Sequence, residues 1–177
     1  RGGSPMHQLH LLRHTKSSWD DDAGDHERPL NKRGREAARL IGETLPKAIG
    51  ALDLVLCSTA LRARETAELA LEGYRTAPNI RYEKGLYLAT PEAILRCLRR
   101  LDETCGAVMV VGHNPGLHEL ATALADPSSA GFSNLANGKF PTGVRARFVI
   151  GTSWADIDAE RHRLVDYVTV KSLGGKD

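Results

Sequence analysis

Cysteine is scarce in this chain, and what is present cannot build a framework. Cys57, Cys97 and Cys105 are the three cysteines among 177 residues. Their odd number and wide spacing speak against disulfide staples and against a cysteine metal site, and predict a reducing, cytoplasmic setting. Long apolar runs are missing too: nothing approaches the roughly 20 residues that cross a bilayer, and no secretory leader is visible. Neither sign of charge dominates, since 24 Lys and Arg face 22 Asp and Glu for a net charge of +2. That balance gives no reason to expect nucleic acid or an acidic membrane as partner, so any anion site has to be local. Internal repeats and low-complexity tracts are absent.

What is present is an ordinary globular composition, 41% hydrophobic and 26% charged, on a chain of a length that suits one domain. Arg1-Gly2-Gly3-Ser4-Pro5 reads as a cloning remnant ahead of a native Met6, so residues 6–177 are expected to form a single domain. Three short apolar runs predict buried strands: Leu9 to Leu12, Asp53 to Cys57, and Ala107 to Val111. Cys57 lies inside the second and reads as a buried small residue rather than a nucleophile.

Helical periodicity alternates with these runs. Residues 33–45 place Ala37, Ala38, Ile41 and Leu45 on one stripe, with Pro46 expected to mark the end. Apolar stripes also recur over residues 60–71, 91–101 and 117–124. Residues 126–143, rich in Ser, Asn, Gly and Pro, read as a long loop. Two more strands are expected at 146–150 and 163–170, as a hairpin or with one antiparallel at an edge. Strands and helices alternating in this way predict an α/β fold, a three-layer α/β/α sandwich around a mostly parallel sheet.

The chemistry concentrates where the strands end. The first run closes on Arg13-His14. The second leads through Ser58 and Thr59, either of which can cap a helix, to Arg62 one turn inside it. The third passes through Gly112 to His113-Asn114-Pro115-Gly116, where Pro115 suits a first helical position and Asn114 can cap. In open α/β sheets ligands bind beyond the carboxyl ends of the strands. Parallel strands would therefore bring Arg13, His14, Arg62 and His113 to one edge. Two guanidinium groups and two imidazoles around one point suit a phosphoryl dianion, with one imidazole able to accept the group. Each charge-assisted contact is worth roughly 1.5–3 kcal/mol net. A zinc reading of His7, His10 and His14 fits poorly, since only His10 and His14 share a strand face, and no metal is expected.

Leu11-Leu12-Arg13-His14-Thr15-Lys16-Ser17-Ser18-Trp19 resembles the signature strand and loop of the histidine phosphatase superfamily, most closely its small SixA-like phosphohistidine phosphatase branch. The resemblance continues in order through 25–34, 58–66, 86–89, 111–117 and Pro141-Thr142-Gly143. It implies a phosphoglycerate mutase-like fold and a metal-independent, cofactor-free phosphatase. His14 would be the nucleophile that forms a transient phosphoenzyme, and Arg13, Arg62 and a protonated His113 would line the phosphate pocket. Ser17 and Asn114 join the expected phosphate- and substrate-binding set. His14 must present one bare ring nitrogen while the other donates elsewhere, with a backbone carbonyl as the expected acceptor.

The general acid is not assigned. Larger family members carry it on an insertion that this chain lacks. Glu83 is the nearest candidate, Asp20 and Asp21 are others, and all three can equally be solvated loop carboxylates. A phosphohistidine substrate tolerates a weak acid because imidazole leaves easily. Without an inserted lid the pocket should be open, walled by the loop 16–26 and the loop before Thr142, with Trp19 as contact or anchor. The expected partner is a phosphorylated protein, such as one with a phosphohistidine domain, or a small phosphorylated molecule. The alternatives are a small-molecule phosphomonoesterase and a non-catalytic phosphate-binding or protein-docking module. A phosphoglycerate mutase is disfavoured because its specificity insertions are missing.

Overall fold

The structure, a computed structural model, describes residues 7–20, 22–159 and 162–176. The expected remnant at 1–5, Met6, the candidate Asp21, and Glu160 lie outside the described residues. Six strands form one sheet: β1 (His7–Arg13), β2 (Leu54–Ser58), β3 (Ile80–Glu83), β4 (Ala107–Gly112), β5 (Arg145–Ile150) and β6 (Arg163–Val168), in the order β3-β2-β4-β1-β5-β6. β1, β2, β3 and β4 run parallel, while β5 pairs antiparallel with both β1 and β6. The sandwich is the expected mostly parallel α/β fold.

Side-chain alternation along each strand explains why both faces are covered. Leu9 and Leu11 of β1, Leu54 and Leu56 of β2, and Val108 and Val110 of β4 share one core. That core is closed by α3 (Pro91–Arg99), α4 (Gly116–Leu124) and α5 (Phe132–Ala136). The intervening Leu12, Val55, Cys57, Met109 and Val111 meet α1 (Lys32–Ile49) and α2 (Leu61–Leu71) on the other face. Burying each such leucine or valine contributes about 1.5–3 kcal/mol. Asn31 caps α1 by accepting from the Gly34 N–H, and Thr90 caps α3 by accepting from Ala93.

Several local expectations are corrected. α1 does not stop at Pro46 but runs on to Ile49, because Leu45 is buried against the sheet and the Gly50 N–H closes on the Pro46 carbonyl. β3 is an additional strand that no apolar run announced; it sits at the sheet edge with two of its side chains exposed. The long loop contains the short helix α5. β5 and β6 do form the hairpin, but β5 sits inside the sheet and β6 takes the edge. The polar connection between them is anchored by Trp154, fully buried, stacked on His7 at 4.5 Å and donating from Nε1 to the Cys105 carbonyl.

Candidate active site

Parallel β1, β2 and β4 end at the same edge, and their next residues converge there. Arg13 pairs with Gly112 in register, so His14 and His113 follow side by side, with ring centroids 5.2 Å apart. α2 supplies Arg62 and, one turn on, Thr66. The Thr66 hydroxyl accepts from the Thr15 N–H at 3.1 Å and holds the backbone just after His14. The groups surround a cavity of about 380 Å³ that also touches Lys16, Ser17, Trp19, Asp25, Arg28, Asn31, Leu88, Asn114 and Thr142. Arg13, His14, Arg62, His113, Ser17 and Asn114, all expected at the site, are brought together. The expected walls, from the 16–26 loop and from Thr142, are present too.

His14 is buried, and its Nδ1 donates to the Thr15 carbonyl at 2.7 Å. A carbonyl can only accept, so the lone pair of the neutral ring sits on Nε2. Burial and the guanidinium groups of Arg13, Arg62 and Arg28 push its pKa down to about 4, with the Thr15 bond opposing. The ring is therefore unprotonated at neutral pH, with its lone pair at Nε2. His113 differs from expectation. Burial, the adjacent His14 and Arg62 push it down to about 3, so it is neutral rather than a countercharge. Its Nε2 meets the Ser58 hydroxyl at 2.7 Å, and its Nδ1 is buried without a partner.

Asn114 does not cap α4. Its amide nitrogen donates to the Phe140 carbonyl at 2.9 Å, and α4 begins at Gly116, one residue after Pro115. Arg13 donates to the same carbonyl at 3.0 Å, so both are tied to the loop before Thr142. Nor do Ser58 and Thr59 occupy the cap of α2. Ala60 does, while the Ser58 hydroxyl accepts the Ala60 N–H and Thr59 faces His26.

Two site residues were missed: Asp25 and Arg28. A 3-10 turn at Asp25–Glu27 sets them three residues apart, and Arg28 donates to the Asp25 carboxylate at 3.2 Å. Arg62 donates to the other carboxylate oxygen at 3.1 Å and to the Asp25 carbonyl at 2.6 Å. Tyr87 adds a hydroxyl donor, and together Tyr87, Arg62 and Arg28 hold the carboxyl down at about 2. Arg28 also donates to Ser17 at 2.6 Å and lies 3.5 Å beneath the exposed ring of Trp19. The available signal was the Asp-x-x-Arg spacing, which sequence alone could not aim at Arg62.

The acid candidates fare differently. Glu83 ends β3 opposite Ser58 in register and does not line the cavity; Asp20 is exposed and does not line it either. Among the described residues, Asp25 is the one carboxylate that does. His7 pairs with Glu103 far from the site, and no cluster of metal-ligating side chains occurs among the described residues. No described helix is long and apolar enough to cross a membrane.

Fold and site together define an α/β protein with a pocket lined by arginine and histidine at the carboxyl edge of a parallel sheet. The family model of the histidine phosphatase superfamily (branch 1) matches residues 9–87. An uncharacterized protein of Mycobacterium tuberculosis is 39% identical over 158 residues, spanning 88% of this chain and 98% of that protein. The fold matches that of a proposed phosphohistidine phosphatase SixA from Nakamurella multipartitia with a TM-score of 0.82 and 28% identity, over 95% of this chain and 98% of the other. A second proposed SixA, from Agrobacterium tumefaciens, matches at TM-score 0.77 and 28% identity, covering 93% and 98%. The chain belongs to the histidine phosphatase superfamily, and its fold is phosphoglycerate mutase-like.

Proposed function

We propose that the protein is a metal-independent phosphatase that works through a phosphohistidine on His14, with phosphohistidine protein as its substrate class. The observation that carries this reading is the anchored His14 tautomer, bare at Nε2 inside a pocket walled by Arg13, Arg28 and Arg62. In the first step the Nε2–P bond forms as the bond from phosphorus to the leaving group breaks. The guanidinium groups hold the equatorial oxygens as charge spreads over them. Water then attacks phosphorus, the Nε2–P bond breaks, and inorganic phosphate leaves. The positive charge that a divalent cation supplies in other phosphoryl-transfer sites comes here from the arginines.

Proton supply supports this substrate class. The one cavity carboxylate among the described residues, Asp25, is held near pKa 2 and carries no proton at neutral pH. An alkoxide leaving group would need that proton, whereas a protonated imidazole departs without it. Two of the most similar solved structures are proposed phosphohistidine phosphatases, which agrees with this choice.

A panel of phosphohistidine protein, aryl phosphates and sugar phosphates tests the reading. The expected result is fastest turnover of phosphohistidine, an acid-labile phosphoenzyme on His14, and activity untouched by EDTA. Turnover of sugar phosphates alone would favour the small-molecule phosphomonoesterase, and metal-restored activity after EDTA would defeat the metal-free account.

A further inference from the structure

Three large hydrophobic side chains are exposed among the described residues, Trp19, Tyr82 and Leu88, and two of them line the phosphoryl cavity. Trp19 is 76% exposed and Leu88 54%. They reach the cavity from different loops, Trp19 from the stretch after β1 and Leu88 from the turn ahead of α3. Exposed apolar residues scattered singly over a surface are ordinary, whereas here one charged pocket carries both.

Each is held where it stands. One face of the Trp19 ring rests on the Arg28 guanidinium, 3.5 Å from the ring centroid. Arg28 is buried, and it donates to the Ser17 hydroxyl, the Ser18 carbonyl and the Asp25 carboxylate. The indole thus lies on a fixed cation of the pocket while most of its own surface stays open. Leu88 has φ +48°, the only positive value at a non-glycine residue among the described residues. Glycine adopts this region freely, whereas a leucine there is strained. The backbone on both sides imposes it. Leu86 is buried and its carbonyl accepts from the Ala89 N–H, while the Ala89 carbonyl oxygen lies 1.9 Å from where a Cβ on Gly116 would stand. Burial in the core does not offset the strain, because the side chain is exposed. Strain of this kind gathers at ligand sites.

We infer that Trp19 and Leu88 form an apolar platform at the rim of the cavity, which selects substrates whose leaving group is a planar ring bonded directly to phosphorus. The inference rests on the proposed phosphatase reading and deepens it. The phosphoryl group sits among Arg13, Arg28 and Arg62, and the ring to be released lies on the indole and the leucine. Such a ring stacks on the open aromatic surface and takes apolar area of both partners out of water. The imidazole of phosphohistidine has this form, and its protonation for departure adds a cation–π attraction to the indole. A polyhydroxylated leaving group such as a sugar gains neither.

Two measurements on the whole protein test the platform. Calorimetry compares phenylphosphonate, cyclohexylphosphonate and methylphosphonate, whose C–P bonds do not turn over, at a pH where all three are dianions. Wild type should bind phenylphosphonate about tenfold more tightly than methylphosphonate and about threefold more tightly than cyclohexylphosphonate. Trp19→Ala and Leu88→Gly should each cut the phenyl-to-methyl ratio to about threefold or less, and Trp19→Phe should keep most of it. Leu88→Gly should do so with a melting midpoint at or above that of wild type, since it releases the strained backbone. Kinetics then compares a phosphohistidine peptide with phosphoramidate, a P–N compound without a ring. Trp19→Ala and Leu88→Gly should lower the ratio of their kcat/KM values about fivefold. The platform is overturned if wild type binds either reference phosphonate as tightly as phenylphosphonate, or if either of these two variants keeps the wild-type ratios. Equal loss of phenyl- and methylphosphonate affinity in Trp19→Ala is such a kept ratio and would make Trp19 a mere support for Arg28. Should neither P–N substrate turn over in wild type, the phosphatase reading fails, yet the phosphonate ratios still decide the platform.

Discussion

His14 Nδ1 donates to the carbonyl of Thr15, its own chain neighbour, at 2.7 Å. The Thr15 N–H is in turn held by Thr66 on α2, the helix that supplies Arg62. The tautomer of the proposed nucleophile and the position of its proposed phosphate clamp are thus set by one stretch of backbone. Replacing His14 by Ala removes the only group proposed to bond phosphorus. Turnover should fall at least about 1,000-fold and the acid-labile phosphoenzyme should vanish, with the thermal midpoint little changed. Steady-state kinetics together with a melting curve check this, and wild-type turnover in the variant would end the mechanism.

Asp25 sits between Arg28 and Arg62 and neutralises part of their charge. Asp25→Asn keeps an oxygen acceptor but removes the negative charge, so the pocket potential rises. Inorganic phosphate should inhibit about fivefold more strongly, an effect weakened by salt. Turnover of a phosphoramidate should survive within about tenfold, because a carboxyl held near 2 is not supplying a proton. A collapse of kcat beyond about 100-fold would instead make Asp25 the general acid.

The start of α1 rests directly on the loop that follows His14. A Cβ on Gly34 would lie 2.0 Å from the Lys16 carbonyl oxygen, a backbone atom that cannot swing aside. Gly34→Ala should therefore cost roughly 2–3 kcal/mol and lower the melting midpoint by about 5–10 °C. Gly24→Ala is the control. Nothing lies within 4 Å of its Cβ position and its φ is −62°, so the change should be neutral within about 0.5 kcal/mol.

Three buried histidines make stability depend on pH. His10 is pushed down to about 3 by burial and by Arg145 and Arg147, while His14 stands at about 4 and His113 at about 3. In the unfolded chain each binds its proton near 6.5, so as pH falls below that value the unfolded state gains protons first. Stability should decline progressively from about pH 6.5 toward pH 3. Asp25 works in the same direction but lower, its contribution being lost as pH falls from 3.8 toward 2. Phosphate bound in the pocket should raise His14 and His113, which line it, and leave His10 untouched. Melting curves across pH should therefore show a shallower acid decline with phosphate than without; an identical decline would mean that the anion does not meet the two imidazoles.

The sequence by itself determined what depends on near neighbours. Alternating apolar residues made β1, β2 and β4 recognisable. The residues that follow each strand end put Arg13, His14, Arg62 and His113 at one edge once those strands are parallel. Even the bare nitrogen of His14 was legible, because its partner is the next residue's carbonyl. Tertiary structure alone decided what depends on distant groups and on burial. Asp25 and Arg28 became part of the site only when the chain folded Arg62, 37 residues away, against them. His113 is neutral because desolvation and neighbouring cations act on it together, and neither is written in the order of residues. Half-exposed β3 shows no apolar run, and α1 passes Pro46 because Leu45 is anchored against the sheet. The shared tie at the Phe140 carbonyl links Arg13 and Asn114 across more than a hundred residues and exists only in three dimensions.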